Sequence, residues 1–282
     1  MKTIQKTAIS AAAVALLTGL ASSAAFAADE PAAPEVSPIT ANVSVVSDYR
    51  YRGISQSNLK PAIQGGFDYA HESGLYIGNW NSSISWNGDQ NPGVTSPIEM
   101  DFYGGFKKEL IGEGFASDIG VLQYAYPSRG AYSYQTTAGT QVNPNTTELY
   151  AAQNFTFGPV TGFVKFSYAV SPLFGNPKSS GSYYPDLTVN YDTGVWGLAV
   201  NAHVGYQYVA GQQVVAGTPT LNYTDFKLGL TKDFGGGLSL AAAYIGTTAA
   251  KSGSTYAYQS PTNQGSKNLA GSTGVVTLTK TF

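Results

Sequence analysis

The sequence predicts an all-β protein, an antiparallel up-and-down transmembrane β-barrel of about 12 strands with short periplasmic turns and long extracellular loops. Three observations predict it. Apolar and polar residues alternate along most of the chain, which gives each strand one apolar and one polar face. Charged residues make up only 11% of the 282 residues, against roughly 25% in ordinary soluble domains. Short and long connections also alternate strictly, as in outer-membrane barrels.

The N-terminus has the pattern of a secretory signal peptide. Lys2 and Lys6 precede a short apolar stretch at 8–21, and Ala25-Phe26-Ala27 is typical of a cleavage site. We expect residues 1–27 to be removed, which leaves 13 basic and 17 acidic residues and a net charge of −4 (15 − 2 = 13; 13 − 17 = −4). Residues 28–39, rich in Pro, Ala and Glu, are expected to form a periplasmic tail, and residues 40–282 the barrel.

Beyond the signal peptide no apolar run reaches the ~18–20 residues that a transmembrane helix needs. The longest covers about residues 238–245, and Ser239 interrupts it. Two classes therefore remain for an exported protein: a soluble β-sandwich or an outer-membrane barrel.

Twelve segments predict the strands. In segment seven, for example, Val164, Phe166 and Tyr168 alternate with Lys165 and Ser167. Segments three, five, six, eleven and twelve alternate less clearly, and either face of segment five could point outward. In chain order the segments cover about residues 42–52, 63–69, 75–86, 98–109, 115–126, 147–157, 164–170, 186–192, 196–208, 225–231, 238–248 and 270–282.

The connections favour the membrane barrel over the sandwich. Five short connections alternate with six long ones, and a sandwich has no reason to place every long loop at one end. The short ones are 71–74, 111–114, 158–159, 192–194 and 235–237; the long ones are 53–60, 87–97, 127–146, 171–183, 209–221 and 249–269. Aromatic residues near strand ends predict interfacial girdles, and these are Tyr51, Phe67, Tyr168, Trp196 and Tyr208.

The chain ends in an alternating segment that closes on Phe282. A terminal Phe on such a strand resembles the signal that bacterial barrels present to their insertion machinery. Lys280 stands where an apolar residue is usual, so the match is partial.

Five stretches together resemble one family. They are residues 47–57 (SDYRYRGISQS), 60–69 (KPAIQGGFDY), 71–76 (HESGLY), 98–105 (IEMDFYGG) and 223–229 (YTDFKLG). They resemble the TorF family, a proteobacterial group of conserved hypothetical proteins named as porins. The resemblance implies an outer-membrane, porin-like barrel, and it supplies neither catalytic residues nor a substrate.

The residues offer little for catalysis. There is no cysteine and only two histidines, so we expect no metal site and no cofactor. Neither His71 nor His203 precedes the Gly-x-x-Ser-Asn-Gly run of outer-membrane phospholipases. If Asp192 pairs with Val195, His203 becomes the diagonal neighbour of Asp186, which gives half of a triad without a serine. The prediction is that the protein is not an enzyme.

The polar faces supply the candidate pore-lining residues. Pairing across the turn at 111–114 makes Lys107 and Asp118 cross-strand partners, for which a structural salt bridge is the favoured role. A twelve-stranded barrel lies between filled eight-stranded barrels and open sixteen-stranded porins, so a narrow pore is expected. The candidates are Asp48, Arg50, Arg52, Asp68, Glu99, Asp101, Lys107, Asp118, Glu148, Lys165, Asp186, His203, Asp225 and Lys227.

These patterns predict a porin-like channel in the outer membrane of a Gram-negative bacterium, for passive diffusion of small hydrophilic solutes or ions. The excess of acids favours a weak cation preference. Two alternatives stay open: a non-conducting structural or interaction barrel, and an outer-membrane hydrolase. The expected partners are membrane lipid and lipopolysaccharide, the insertion machinery and small solutes. No basic surface indicates nucleic acid, and the oligomeric state stays open.

Overall fold

Twelve antiparallel strands close into one barrel in the computed structural model, which describes residues 37–91, 93–130, 143–212 and 217–282. This confirms the predicted fold. The expected signal peptide and most of the tail lie outside the described residues. The strands are β1 Ile39–Val46, β2 Ala62–Ala70, β3 Leu75–Ser83, β4 Ile98–Gly112, β5 Phe115–Ala125, β6 Thr146–Phe157, β7 Val160–Ala169, β8 Tyr183–Asp192, β9 Leu198–Gln207, β10 Tyr223–Asp233, β11 Leu238–Thr247 and β12 Thr273–Thr281.

Each strand pairs with its neighbours along the chain, and β1 closes the ring by pairing with both β2 and β12. Short turns follow β2, β4, β6, β8 and β10, and long connections follow the other strands. In the described ranges the long connections hold one α-helix, α1 Trp86–Gln90, two 3-10 turns at Leu173–Gly175 and Thr262–Gln264, and a short hairpin that joins Lys251–Ser252 to Thr255–Tyr256. No helix in the described ranges is long and apolar enough to cross a membrane.

Alternation sorts the side chains as a barrel in lipid requires. On β7, Val164 is 56% exposed and points outward, whereas Lys165 is buried inside. The structure also settles segment five, now β5, where Ile119 points outward and Asp118 inward. Exposed apolar residues of this kind recur on the strands all round the barrel, so its outer surface suits hydrocarbon.

One predicted strand is shorter than its pattern. The alternation of segment one runs to Arg52, but β1 ends at Val46 and the chain then leaves the sheet. Arg52 and Gly53 both have positive φ (45° and 78°), which closes a tight hairpin between Arg50–Tyr51 and Ile54–Ser55. The prediction that Tyr51 belongs to an interfacial girdle is therefore wrong: Tyr51 is only 8% exposed and lies inside the barrel. We call residues 47–61 the luminal segment.

The turn between β8 and β9 is longer than predicted. Asp192 pairs with Ala199 rather than Val195, so Asn201 faces Asn190 and His203 faces Thr188. The Asp192 carboxylate accepts a hydrogen bond from the Gly194 amide (2.9 Å), which folds the extra residues into a compact turn. The predicted register is wrong for this reason; His203 is still a diagonal neighbour of Asp186, but its hydrogen bonds go to Tyr184, Thr188 and Asp225.

The last strand completes the barrel. The Phe282 amide donates to the Ala41 carbonyl (2.9 Å), which ties the C-terminus to β1. Lys280 donates a hydrogen bond to the Gly236 carbonyl of the β10–β11 turn, and its ammonium group lies 5.3 Å from the centre of the Phe282 ring. Both contacts satisfy a lysine at a position that is usually apolar.

Candidate functional site in the barrel interior

The luminal segment crosses the barrel. Arg52 donates to the Glu148 carboxylate on β6 (2.7 Å) and to the Gln207 side chain on β9 (2.7 Å). In the ring of twelve strands, β6 stands five positions from β1, where the segment begins. The segment therefore spans nearly the full diameter and narrows the lumen near its extracellular end.

Arg52 is held by rings as well as by charge. Its guanidinium lies 4.1 Å from the centre of the Tyr184 ring and 4.8 Å from that of Tyr51. Burial is the largest single influence and disfavours the charged guanidinium, but the combined attraction of Glu148, Tyr51 and Tyr124 outweighs it and raises the pKa of Arg52 above its ordinary value. Arg52 is therefore positively charged at neutral pH.

Arg50 anchors the base of the luminal segment. Its Nε donates to the Asp48 carboxylate (2.6 Å), and its Nη1 donates to the carbonyls of Gly53 (3.0 Å), Leu269 (3.1 Å) and Gly271 (2.9 Å). A cavity of about 340 Å³ opens beside this pair, and it is lined by Ser47, Asp48, Arg50, Leu59 and residues 271–274. These hydrogen bonds of Arg50 go to other groups of the protein, which gives the side chain a structural role.

Aromatic side chains pack against the luminal segment. Tyr51 shares a hydrogen bond with Tyr124 of β5 (Oη to Oη, 2.7 Å), and the Phe174 ring meets both edge-on at 5.4 and 5.1 Å. Trp86 of α1 packs edge-on against Tyr126 in the same cluster (5.2 Å). Sequence reasoning missed both residues: Phe174 lies in a long connection that carries no strand pattern, and Trp86 was assigned to the end of segment three, where the structure instead begins α1.

Tyrosine hydroxyls satisfy several of the buried acids. Glu99 accepts from Tyr126 (2.7 Å) and also from Tyr49, while Asp118 accepts from Tyr76 (2.7 Å). Asp68 accepts from Tyr103 in the same way. The abundance of tyrosine in the composition thus has a structural reason, since phenol groups neutralise no charge and still provide donors inside the barrel.

All fourteen candidate residues lie on the inner face or in the luminal segment, and four pairs of them come together. These pairs are Arg50 with Asp48 (2.6 Å), Arg52 with Glu148 (2.7 Å), Lys165 with Asp186 (3.8 Å) and His203 with Asp225 (3.0 Å). The remaining six are Asp68, Glu99, Asp101, Lys107, Asp118 and Lys227.

Lys107 and Asp118 are cross-strand partners, which confirms the predicted register of β4 and β5. The favoured salt bridge between them does not form within 4.0 Å in the part of the chain that the structure describes. Asp118 takes its hydrogen bond from Tyr76 instead.

His203 sits in a closed hydrogen-bond network. Its Nε2 contacts Asp225 Oδ2 (3.0 Å) and Tyr184 Oη (2.9 Å), and its Nδ1 contacts Thr188 Oγ1 (2.9 Å). The order hydroxyl, histidine, carboxylate resembles a catalytic triad. Both ring nitrogens are nevertheless engaged within the wall, and Thr188 is itself buried, so the network supports a structural role that orients Tyr184 beneath Arg52.

Tyr184 depends on a glycine beside it. A Cβ added at Gly205 would lie 2.1 Å from Tyr184 Oη and 2.3 Å from its Cζ. We expect Gly205→Ala to cost about 1–3 kcal/mol of unfolding free energy, as overpacked sites do. Gly274→Ala is the matched control, because nothing lies within 4 Å of a Cβ there. Denaturant unfolding in detergent measures both, and equal stability of the two variants would contradict this packing.

Comparison with solved structures shows the fold alone. "KdgM porin" superposes with a TM-score of 0.50 and 6% identity over 86% of this chain and 98% of that chain. "NanC porin structure in rhombohedral crystal form" gives 0.51 and 9% identity over the same shares, 86% and 98%. At such identities the similarity carries no information on solutes. No curated protein sequence is significantly similar to the chain.

The family model described as "Bacterial protein of unknown function (Gcw_chp)" matches residues 28–282. The match covers all twelve strands, the luminal segment and its contacts with β6 and β9. The chain therefore belongs to this family of bacterial proteins of unknown function, Gcw_chp.

Proposed function

We propose that the protein is an outer-membrane channel through which small hydrophilic solutes or ions diffuse passively, with a weak preference for cations. One observation carries the proposal: a closed barrel with an apolar outer surface encloses a lumen lined by charged and phenolic groups. The resemblance of residues 47–76 to the TorF family supports the same function.

The outer surface supports residence in the outer membrane, after export by the predicted signal peptide. Leu228 and Leu230 on β10 are more than half exposed, and Ile63 and Ile77 on β2 and β3 are as exposed. Such surfaces cost free energy in water in proportion to their area. In a bilayer the same side chains face hydrocarbon, where apolar residues belong on the outer face of a barrel.

The luminal segment supports a narrow channel. Toward the periplasm the inward-facing Asp68, Lys107 and His203 are half-buried, whereas Glu99, Asp101 and Glu148 near the segment are buried. The lumen is therefore narrow where Arg52 meets Glu148. A solute that passes must displace or circumvent this contact.

The distribution of charge supports the cation preference. The fourteen candidates contain eight carboxylates against five Lys or Arg. Four carboxylates form no salt bridge with Lys, Arg or His within the described ranges, namely Asp68, Glu99, Asp101 and Asp118. Arg50 and Arg52, by contrast, are each paired with an acid. An excess of acidic over basic groups in a narrow, poorly screened lumen stabilises cations.

Planar-bilayer recording of the purified, folded protein tests the proposal. We expect discrete conductance steps and, under a salt gradient, a reversal potential of the sign that indicates cation preference. Uptake of neutral solutes of graded size into liposomes then measures the pore. A reversal potential of the opposite sign would refute the cation preference, and the absence of both conductance and uptake would refute the channel.

The filling of the extracellular end favours a second candidate, a non-conducting structural or interaction barrel. The luminal segment and Phe174 occupy the space that an open pore would need. The same recordings separate the two, since a structural barrel gives no conductance steps. Hydrolase activity is supported less, because His203 is engaged within the wall.

A further inference from the structure

Asp101 is a buried acidic residue to which the proposed channel assigns no role. It lies on the inner face of β4, is 0% exposed, and stands between its cross-strand neighbours Trp80 and Tyr124. Both carboxylate oxygens lack a hydrogen-bond partner in the described part of the protein. Buried carboxylates are normally paired or hydrogen-bonded, so two unpartnered oxygens indicate a ligand.

The surroundings of Asp101 determine the sign of that ligand. Glu99 lies two residues earlier on the same face, and Asp101 interacts electrostatically with both Glu99 and Glu148. Arg52 compensates Glu148, whereas Glu99 is bound by the neutral hydroxyls of Tyr49 and Tyr126. Three acidic side chains therefore lie around one guanidinium, which favours a cation over an anion as the ligand.

The geometry limits which cation fits. No three His, Cys, Asp or Glu side chains in the described ranges come close enough to hold a metal ion together. Divalent ions such as Ca²⁺ bind several carboxylate or carbonyl oxygens at once, so this arrangement suits them poorly. A single carboxylate whose two oxygens have no hydrogen-bond partner in the described part of the protein suits an alkali cation, which needs only one negative charge.

We propose that Asp101 binds Na⁺ or K⁺ at the narrow part of the lumen. The inference rests on the proposed function, because it assigns the cation preference to one site. The site is nevertheless part of the folded barrel, so an ion can bind there whether or not the barrel conducts. A bound alkali cation would also stabilise the fold, because a ligand that binds only the native state raises its stability.

Unfolding temperatures in detergent, followed by the heat-dependent shift of the barrel on gels, test this. We expect KCl or NaCl to raise the unfolding temperature of the wild type relative to N-methyl-D-glucamine chloride at equal ionic strength. Asp101→Asn should abolish the difference. Asp68→Asn is the matched control: it removes the same charge from the lumen, but Asp68 already accepts a hydrogen bond from Tyr103, so the ion dependence should persist.

Two results would overturn the site. The absence of ion dependence in the wild type would show that a proton or water satisfies Asp101, and equal dependence in Asp101→Asn would place the ions elsewhere. If Asp101→Asn does not fold, sodium NMR relaxation of the wild type decides: broadening that K⁺ competes away supports the site, and its absence refutes it. Ion-specific stabilisation without conductance would refute only the channel, and conductance without it would refute only the site.

Discussion

Replacing Arg52 with glutamine should increase the single-channel conductance. The side chain of glutamine is too short to reach both Glu148 on β6 and Gln207 on β9, so the luminal segment loses its attachment to the far wall. The segment is then held by the hydrogen bond between Tyr51 and Tyr124 on β5 and by Arg50 with its carbonyl partners near β1 and β12. We expect larger and noisier current steps in planar bilayers, because the side chain at position 52 no longer crosses the lumen and the tip of the segment can move.

The same substitution should destabilise the barrel by roughly 3–5 kcal/mol, the cost of removing one partner of a buried ion pair. The double variant Arg52→Gln, Glu148→Gln is the control for this cost, since it leaves no unpaired charge and should recover part of the stability. It should keep the increased conductance, because the glutamine side chain at position 52 is still too short to reach both β6 and β9. Conductance equal to the wild type in both variants would show that the luminal segment does not set the pore.

Arginine at Val164 should destabilise the folded barrel in a bilayer by roughly 2–4 kcal/mol, as charged residues on the lipid face near the midplane do. Val164 lies at the centre of β7 and is 56% exposed on the outer face. Denaturant titration in lipid vesicles measures the loss. Lys165→Arg is the adjacent control: it points inward, keeps its charge beside Asp186, and should change stability far less.

Equal losses at the two positions would show that the facing of β7 is wrong. Polar inward positions are not interchangeable as controls. Alternation places Asn201 on the inner face as well, but it is 3% exposed and hydrogen-bonded to both Asn190 (2.8 Å) and Thr231 (2.7 Å). Arginine there would break a packed network, so its cost would not report on lipid.

Alternation was enough to predict the facing of the clearly alternating strands, because the facing of a residue in a strand depends on parity alone. The turn predicted at 111–114 also gave the pairing of Lys107 with Asp118, which the structure keeps by combining a two-residue turn with a bulge between Glu109 and Gly112. Parity also placed the acids of β4 and β6 on the inner face without any knowledge of the neighbouring strands.

Local pattern could not show where the chain stops being a strand. Residues 42–52 alternate throughout, yet Arg52 and Gly53 adopt positive φ and turn the chain into the lumen. A Cβ at Gly53 would lie 2.5 Å from Thr247 Cγ2. The turn therefore needs a glycine because it packs against β11, a strand that lies almost 200 residues later in the sequence. Contacts between such distant segments leave no period in the sequence.

The sequence by itself therefore determined the class of fold, the number of strands and the facing of the side chains in the clearly alternating strands. Only the tertiary structure decided that Arg52 crosses to Glu148, that His203 meets Asp225 instead of Asp186, and that Asp101 is left with no partner among the described groups. The physical reason is that facing is a local property of each strand, whereas ion pairs across a lumen depend on how the whole ring of strands closes.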